Sequence, residues 1–377
     1  MLYLAVPTGA FHGWGVCGRY LVKELSALAE IALLTDPFDV AAVGDELEYR
    51  LLRSKLLSCE PSQPVPDPVL QGVGNTQLQP YRPRLRGRFN VGYTFFENNL
   101  LVAQHVSSLR ENFDLVAAGS RFCEEVLRGY GLTSVKTILQ GVDPAIFHPS
   151  PCGKEYLREA FVVFSGGKFE FRKGQDLVIR AFRVLQDKYR DVLLVNAWFN
   201  SWSASINTMR ASRHIRFQPA SPDYLGTINQ TLQDNGIDLG RTITLLPRPN
   251  LMMARIYSNT DVGLFPNRCE GGTNLVLMEY MACGKPVIAS WNSGHKDILT
   301  EGNSIPIRNA KPLTIREGQT DIAAWEEPDL DETIAHLEWA YHHREQLKLI
   351  ATRAGQDMTR FSWKHAAAQF YRLLTAS

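Results

Sequence analysis

The run FPNRCEGGTNLVLMEYMACGKPVIAS, Phe265 to Ser290, holds the residues best suited to chemistry. An apolar strand ends at Phe265-Pro266, a loop carries Glu270-Gly271-Gly272-Thr273-Asn274, and a helix starts near Asn274. The helix stops at Cys283, with Gly284 as a left-handed cap and Pro286 blocking continuation. Two glycines ahead of a helix leave backbone N–H groups free, and the helix dipole favours negative charge there. The loop is therefore a cradle for a phosphate or a hydroxyl-rich ligand. Glu279, more than one turn into the helix, is placed to accept hydrogen bonds from the vicinal hydroxyls of a ribose; the alternative is a solvated or ion-paired helix acid.

A second glycine pattern lies in AFHGWGVCGRYLVKEL, where Gly13, Gly15 and Gly18 have the spacing G-x-G-x-x-G. The apolar run Leu2 to Val6 reads as the preceding strand and Tyr20 to Leu28 as the following helix. The next strand, Ile31 to Leu34, ends near Asp36, an acid at the distance a ribose clamp needs. In a dinucleotide fingerprint, however, the first glycine follows the strand directly, and here Pro7-Thr8-Gly9-Ala10-Phe11-His12 intervenes. The spacing alone leaves three readings: a dinucleotide, another phosphate, or glycines that only let a loop turn tightly.

These loops need a scaffold, and the apolar runs supply one. Leu2 to Val6, Ile31 to Leu34, Asn90 to Thr94, Leu115 to Ala118 and Val135 to Leu139 read as strands alternating with helical patterns. Pro61 to Arg88 is proline-rich and aperiodic, a long loop with room for a short strand. HPSPCGK, His148 to Lys154, reads as a linker, after which the alternation restarts with Val162 to Phe164, Val192 to Ala197, Ile243 to Leu246, Val262 to Phe265 and Val287 to Ala289. Helical patterns cover Asp176 to Tyr189, Asn274 to Ala282 and Glu332 to Leu347. The expected architecture is α/β: two doubly wound Rossmann-like domains, 1–150 and 151–359, with ligands in the cleft between their facing strand ends.

A length of 377 residues exceeds what one core usually organises, in keeping with two domains. A net charge of +1 gives no global pull toward nucleic acid, and none is expected as a partner. No apolar run is long enough to span a bilayer, and Leu2 to Val6 is too short for a signal peptide, so the cytoplasm is the default location. The six cysteines show no C-x-x-C or metal-like spacing and read as free thiols.

At Phe265 to Ser290 the chain resembles the GT-B nucleotide-sugar glycosyltransferases, specifically the large retaining family four (glycosyl transferases group 1), whose hallmark is an E-x7-E motif. VVFSGGKFEFRKGQDLVIRAF, Val162 to Phe182, is similar to that family's strand, basic loop and helix. The resemblance makes Lys168 and Lys173 the two basic residues that hold the donor diphosphate. ILQGVDPAIFHP, Ile138 to Pro149, resembles the end of the N-terminal domain, and Phe361 to Leu374 the helix that crosses back to complete it, here assigned to 360–377.

The resemblance implies a GT-B fold and a retaining, metal-independent transfer from a nucleoside-diphosphate sugar, UDP- or GDP-linked, to the hydroxyl of a carbohydrate, lipid-linked or small-molecule acceptor. No cofactor is expected, and no enzyme nucleophile is assigned. Glu270 takes the place of the glutamate that holds hydroxyls of the transferred sugar. Gly271, Gly272, Thr273, Asn274 and Glu279 line the donor, Arg248 lies where the base binds, and Gly13, Gly15 and Gly18 form a loop near the sugar diphosphate or acceptor, with Arg19 an added anion contact.

Two departures stand out. Eight residues separate Glu270 from Glu279, where the family has seven, and NVGYTFFENN offers Phe96 and Glu97 where the family often has a histidine. Glu97 is a candidate contact to sugar or acceptor, or a base toward the acceptor hydroxyl; a loop carboxylate with a structural partner is the alternative. Asp329-Leu330-Asp331 matches a metal-binding D-x-D pattern but sits where a helix N-cap is expected. RPRLRGR, with four arginines at Arg82, Arg84, Arg86 and Arg88, is either a solvated basic loop or a contact for an anionic acceptor or a peripheral membrane surface. The competing functions are an epimerase or hydrolase on the same fold, an inactive binding subunit, and a nicotinamide oxidoreductase.

Overall fold

Short apolar runs buried on both faces pair in parallel, as helix-covered sheets require. In the computed structural model, which describes residues 1–151, 153–200, 202–219 and 223–376, two six-stranded parallel sheets form. The first contains β1 (Leu2–Ala5), β2 (Ile31–Leu34), β3 (Val69–Val73), β4 (Asn90–Thr94), β5 (Leu115–Ala118) and β6 (Val135–Thr137), in the order β2-β1-β3-β4-β5-β6. The second contains β7 (Phe161–Gly166), β8 (Val192–Ala197), β9 (Thr242–Thr244), β10 (Val262–Phe265), β11 (Val287–Ser290) and β12 (Ile305–Ile307), in the order β12-β11-β10-β7-β8-β9.

The short strand allowed for in Pro61 to Arg88 is β3, and it is central: it sits between β1 and β4 and is buried along its whole length. Its polar Gln71 is satisfied internally: Oε1 accepts from Arg82 N at 3.0 Å. The aperiodic segment thus folds over the strand it contains. The helix expected over Glu332 to Leu347 is two, Leu330–His342 and Arg344–Met358, broken at His343, whose φ of −117° and ψ of 48° leave helical geometry.

The terminal helix Trp363–Thr375 packs on the first sheet's side of the molecule. Ser362 caps it, Trp363 stacks on Tyr20 at 5.4 Å, and Phe370 meets Tyr93 edge-on at 4.8 Å. Such aromatic pairs add about 0.5–1.5 kcal/mol each beyond area burial.

A hairpin of β13 (Ala310–Glu317) and β14 (Thr320–Pro328), absent from the sequence expectations, lies outside both sheets. It reaches across to residues 97–100. Asn99 exchanges two side-chain hydrogen bonds with the Ala324 backbone, at 2.9 and 2.7 Å, and Trp325 Nε1 donates to Glu97 O at 2.8 Å. Among the described residues, no helix is long and apolar enough to cross a membrane.

Candidate active site

A cavity of about 500 Å³ opens between the two sheets, lined by segments that follow β1, β4, β7, β8 and β10 at their C-terminal ends. That is where open α/β sheets bind ligands. Of the expected site residues, Lys168, Lys173, Glu270, Glu97, Gly272, Asn274, Glu279 and Arg248 line it.

The basic loop after β7 is held rigidly. Gln175 Nε2 donates to Lys168 O at 2.7 Å, and Gly174 has φ +72°, where any Cβ would lie 2.0 Å from Pro266 O. Arg268, with a fully buried guanidinium, donates to both carboxylate oxygens of Asp176 at 2.8 Å and also pairs with Glu327 of β14. One bidentate arginine therefore locks the basic loop, the glutamate loop and the hairpin together.

The result is a cluster of three cations and three carboxylates. Lys173 Nζ bonds Glu270 Oε1, and Arg172 Nη1 lies 3.1 Å from Glu270 and 3.4 Å from Glu97. Arg172 Nη2 is 2.7 Å from Glu170, which also pairs with Lys168 at 3.3 Å. Burial alone would raise the Glu270 carboxyl, but Lys173 and Arg172 outweigh it and hold it down at about 2. Burial pushes Lys173 down, against the pull of Glu270.

The extra residue between the glutamates is absorbed at Asn274, which takes a left-handed conformation, φ 63°, immediately before the helix Leu275–Ala282. Asn274 Nδ2 donates to His295 Nε2 at 3.2 Å, and His295 Nδ1–H donates to Ser290 O at 3.1 Å. Burial lowers His295 to about 4, which keeps the neutral ring this pattern needs. Glu270 and Glu279 consequently face the same cavity despite the altered spacing.

Glu279 is buried at the far end, accepting from Asn250 Nδ2 at 2.9 Å and Tyr257 OH at 3.3 Å. Asn250 Oδ1 in turn accepts from Arg19 Nη2 at 2.8 Å, a chain of hydrogen bonds that crosses from one sheet's side to the other. Burial pushes Glu279 up to about 7 from 4.5. A folded state that keeps a proton longer than the unfolded chain loses stability as pH rises from about 4.5 to about 7, by on the order of 3 kcal/mol, and the penalty persists above. Glu279→Gln is expected to match wild type in melting temperature near pH 5 and to exceed it near pH 8. Parallel melting curves across that range would show that Glu279 is not carrying the proton.

The glycine readings change. The first helix spans Gly13–Ser26, so the three glycines are inside it and form no loop. His12 caps it: Gly15 N–H donates to His12 Nδ1 at 3.0 Å and is not available to an anion, so Gly15 is not a donor contact. Gly18 serves packing, because a Cβ there would lie 1.9 Å from Pro7 O. Asp36 binds Arg82 at 2.8 Å away from the cavity, which removes the ribose clamp of the dinucleotide reading. Arg19 is also reassigned: it is buried against Glu48 at 3.2 Å, the Val43 carbonyl and Asn250.

Gly271 and Thr273 are outside the cavity lining. Gly271 faces the first sheet's side, its carbonyl accepting from Ser120 Oγ at 2.7 Å and Cys123 Sγ at 3.0 Å. Thr273 is fully buried beside Gln140. Asp329 caps the helix Leu330–His342 through Glu332 N at 2.9 Å, and among the described residues no group of three or more His, Cys, Asp or Glu could hold a metal. Arg82 and Arg86 of the basic run are engaged, with Asp36 and with the Leu85 carbonyl at 2.8 Å. Cys17, Cys59, Cys123, Cys269 and Cys283 are free thiols; Cys152 lies outside the described residues.

Sequence reasoning missed Arg172, Asn250, Gln140 and Trp14 as cavity residues. A signal existed for Arg172, which adjoins Lys173 in the basic loop; the others reach the cavity only through tertiary packing.

Residues 160–323 match the family model described as glycosyl transferases group 1. A D-inositol 3-phosphate glycosyltransferase 1 from Catenulispora acidiphila is 26% identical over 217 residues, 53% of this chain and 47% of that protein. The chain thus spans about half the length of this curated relative. Sucrose-phosphate synthase from Thermosynechococcus elongatus superposes with TM-score 0.70 at 15% identity over 100% of both chains. Anabaena Alr3699/HepE in complex with UDP and glucose superposes at 0.67 and 15% identity, over 100% of this chain and 99% of that one. At these identities the structural likeness establishes the GT-B fold.

Proposed function

We propose, from the match of residues 160–323 to the glycosyl transferases group 1 model and from the GT-B fold, that the chain moves a hexosyl unit from a nucleoside-diphosphate sugar to an acceptor hydroxyl, with retention and without a metal. The observation that carries this reading is the Lys168, Arg172, Lys173 and Glu270 cluster facing the N-terminus of the helix Leu275–Ala282 in one cavity. As the bond from the anomeric carbon to the diphosphate breaks, the leaving group gains negative charge. Cations already in place stabilise that charge where it develops. The acceptor oxygen bonds to the anomeric carbon on the face the diphosphate leaves, and the hydroxyl proton passes to a diphosphate oxygen. Glu279 receives the ribose hydroxyls, and 151–359 forms the donor-side unit.

Three observations support a nucleoside diphosphate over a nicotinamide dinucleotide: the helical placement of Gly13 to Gly18, the capped Gly15 N–H and the engaged Asp36. The test is a thermal-shift panel of UDP, GDP, ADP, NAD and NADP, with EDTA throughout. A ligand at about 100 times its Kd stabilises the fold by about 2.7 kcal/mol. One nucleoside diphosphate is expected to raise the melting temperature and NAD and NADP are not; a shift by NAD or NADP instead overturns the reading. Nuclear magnetic resonance of the first-formed product then reports its anomeric configuration.

A further inference from the structure

The two walls of the cavity differ in charge. Lys168, Arg172, Lys173 and Arg248 all belong to the second sheet's side, and three of them are already matched to Glu170 and Glu270. Among the described residues lining the first sheet's side the formal charge is Glu97, and it is paired with Arg172 of the other wall at 3.4 Å. His12 is neutral by geometry, since its Nδ1 accepts the Gly15 N–H and so carries no proton; burial, with Lys168 nearby, lowers its pKa in agreement.

What that wall does present is aromatic. Trp14 is held edge-on by Phe95 at 4.7 Å and by Tyr93 at 6.1 Å, a rigid face partly open to the cavity. Trp202 reaches toward it from the other side, its ring 5.1 Å from His12 and under Lys168 at 5.3 Å. It remains 52% exposed, although an indole of that size is normally covered. Around these faces stand the hydrogen-bonding side chains of Asn75, Glu97 and Gln140. An aromatic floor with a few polar groups is what recognises the apolar face and the hydroxyls of a sugar ring.

We propose, on the premise of the glycosyltransferase reading above, that the acceptor is an uncharged carbohydrate whose ring stacks between Trp14 and Trp202 and whose attacking hydroxyl is presented beside Glu97. A phosphate-bearing acceptor would find no lysine or arginine among the described residues lining this wall, and Arg172, 3.4 Å from Glu97, is already shared with Glu170 and Glu270 and faces the donor diphosphate. A phosphate taken out of water there without a cation to receive it is strongly disfavoured. Selection against phosphorylated sugars is then built into the wall itself.

The experiment uses the full chain with the nucleoside-diphosphate sugar whose base the thermal-shift panel identifies. Transfer is followed by release of the nucleoside diphosphate above the acceptor-free rate, with matched acceptors: glucose against glucose 6-phosphate, myo-inositol against its 3-phosphate, and neutral disaccharides such as cellobiose and maltose. Uncharged members are expected to be used at least tenfold better than their phosphorylated partners. Trp202→Ala is expected to raise the KM for the preferred acceptor about tenfold and the donor KM by clearly less, the smaller effect coming from the loss of the ring under Lys168. Better use of the phosphorylated members, no use of any uncharged one, or an unchanged acceptor KM in Trp202→Ala overturns the proposal. Failure of the underlying reading looks different: no nucleoside diphosphate binds and no donor is consumed with or without acceptor.

Discussion

Lys173→Ala is expected to lower kcat/KM for transfer by about 100-fold, with a clear fall in melting temperature. The Lys173 side chain is 10% exposed and bonds Glu270, itself buried and ionised. A charged hydrogen bond contributes about 1.5–3 kcal/mol, which if made to the departing diphosphate corresponds to about 10- to 100-fold in rate. The upper end is expected here because truncation also leaves Glu270 with Arg172 as its paired cation and Asn267 as a neutral donor. Breaking a buried pair by removing one member costs about 3–5 kcal/mol of stability. The two effects separate in a double-mutant cycle. In a Glu270→Gln background the stability cost of Lys173→Ala should shrink by more than half, while the loss of rate persists. Lys168→Ala is expected to cost less, because its side chain is 35% exposed and its charge is screened by water. Wild-type kcat/KM in Lys173→Ala would remove this lysine from the donor electrostatics.

The contrast between what was legible in the chain and what was not follows from how each feature is encoded. Strands such as Ile31–Leu34 and Val262–Phe265 are buried on both faces and announce themselves as uninterrupted apolar runs. β3 carries Gln71 and Gly72, and its polar side chain is satisfied by residues more than ten positions away, a compensation invisible locally. The hairpin β13–β14 is largely exposed, so no apolar periodicity marks it, and its contacts with residues 97–100 join segments more than 220 positions apart. In the site, Lys168, Lys173, Glu270 and Glu279 were legible as residues of one cavity because the resemblance places them after recognisable strands or on the helix that follows, and all four line it. The glycine spacing misled for a physical reason. His12 at the cap starts the helix several residues earlier than the apolar pattern does, turning a supposed loop into a first turn. Gly271 misled differently: adjacency to Gly272 in sequence concealed that consecutive residues of a tight loop face opposite walls of the cleft.

Gly271→Ala accordingly tests whether contact between the two halves sets the geometry of the catalytic cluster. A Cβ at this position would lie 2.5 Å from Phe96 O, 2.6 Å from Phe96 N and 2.7 Å from Phe96 C. These are backbone atoms, so no rotamer change relieves the clash; the Glu270 to Asn274 loop and the Phe96-Glu97 segment must separate. Each segment carries one of the carboxylates that Arg172 holds, Glu270 and Glu97. Displacing them by about 1 Å is enough for about a 100-fold loss of kcat/KM, because rate depends steeply on the placement of reacting and positioning groups. Overpacking of this kind costs about 1–3 kcal/mol of stability, so the protein is expected to fold with a lowered melting temperature. Nucleoside-diphosphate affinity, which the proposed function assigns to the second sheet's side, should change far less than turnover. Gly129→Ala is the matched control, since a Cβ there meets nothing within 4 Å, lies outside the cavity lining and should leave both rate and stability near wild type. If Gly271→Ala and Gly129→Ala behave alike, the contact between Gly271 and Phe96 does not position the cluster, and Arg172 and Lys173 hold the carboxylates without it.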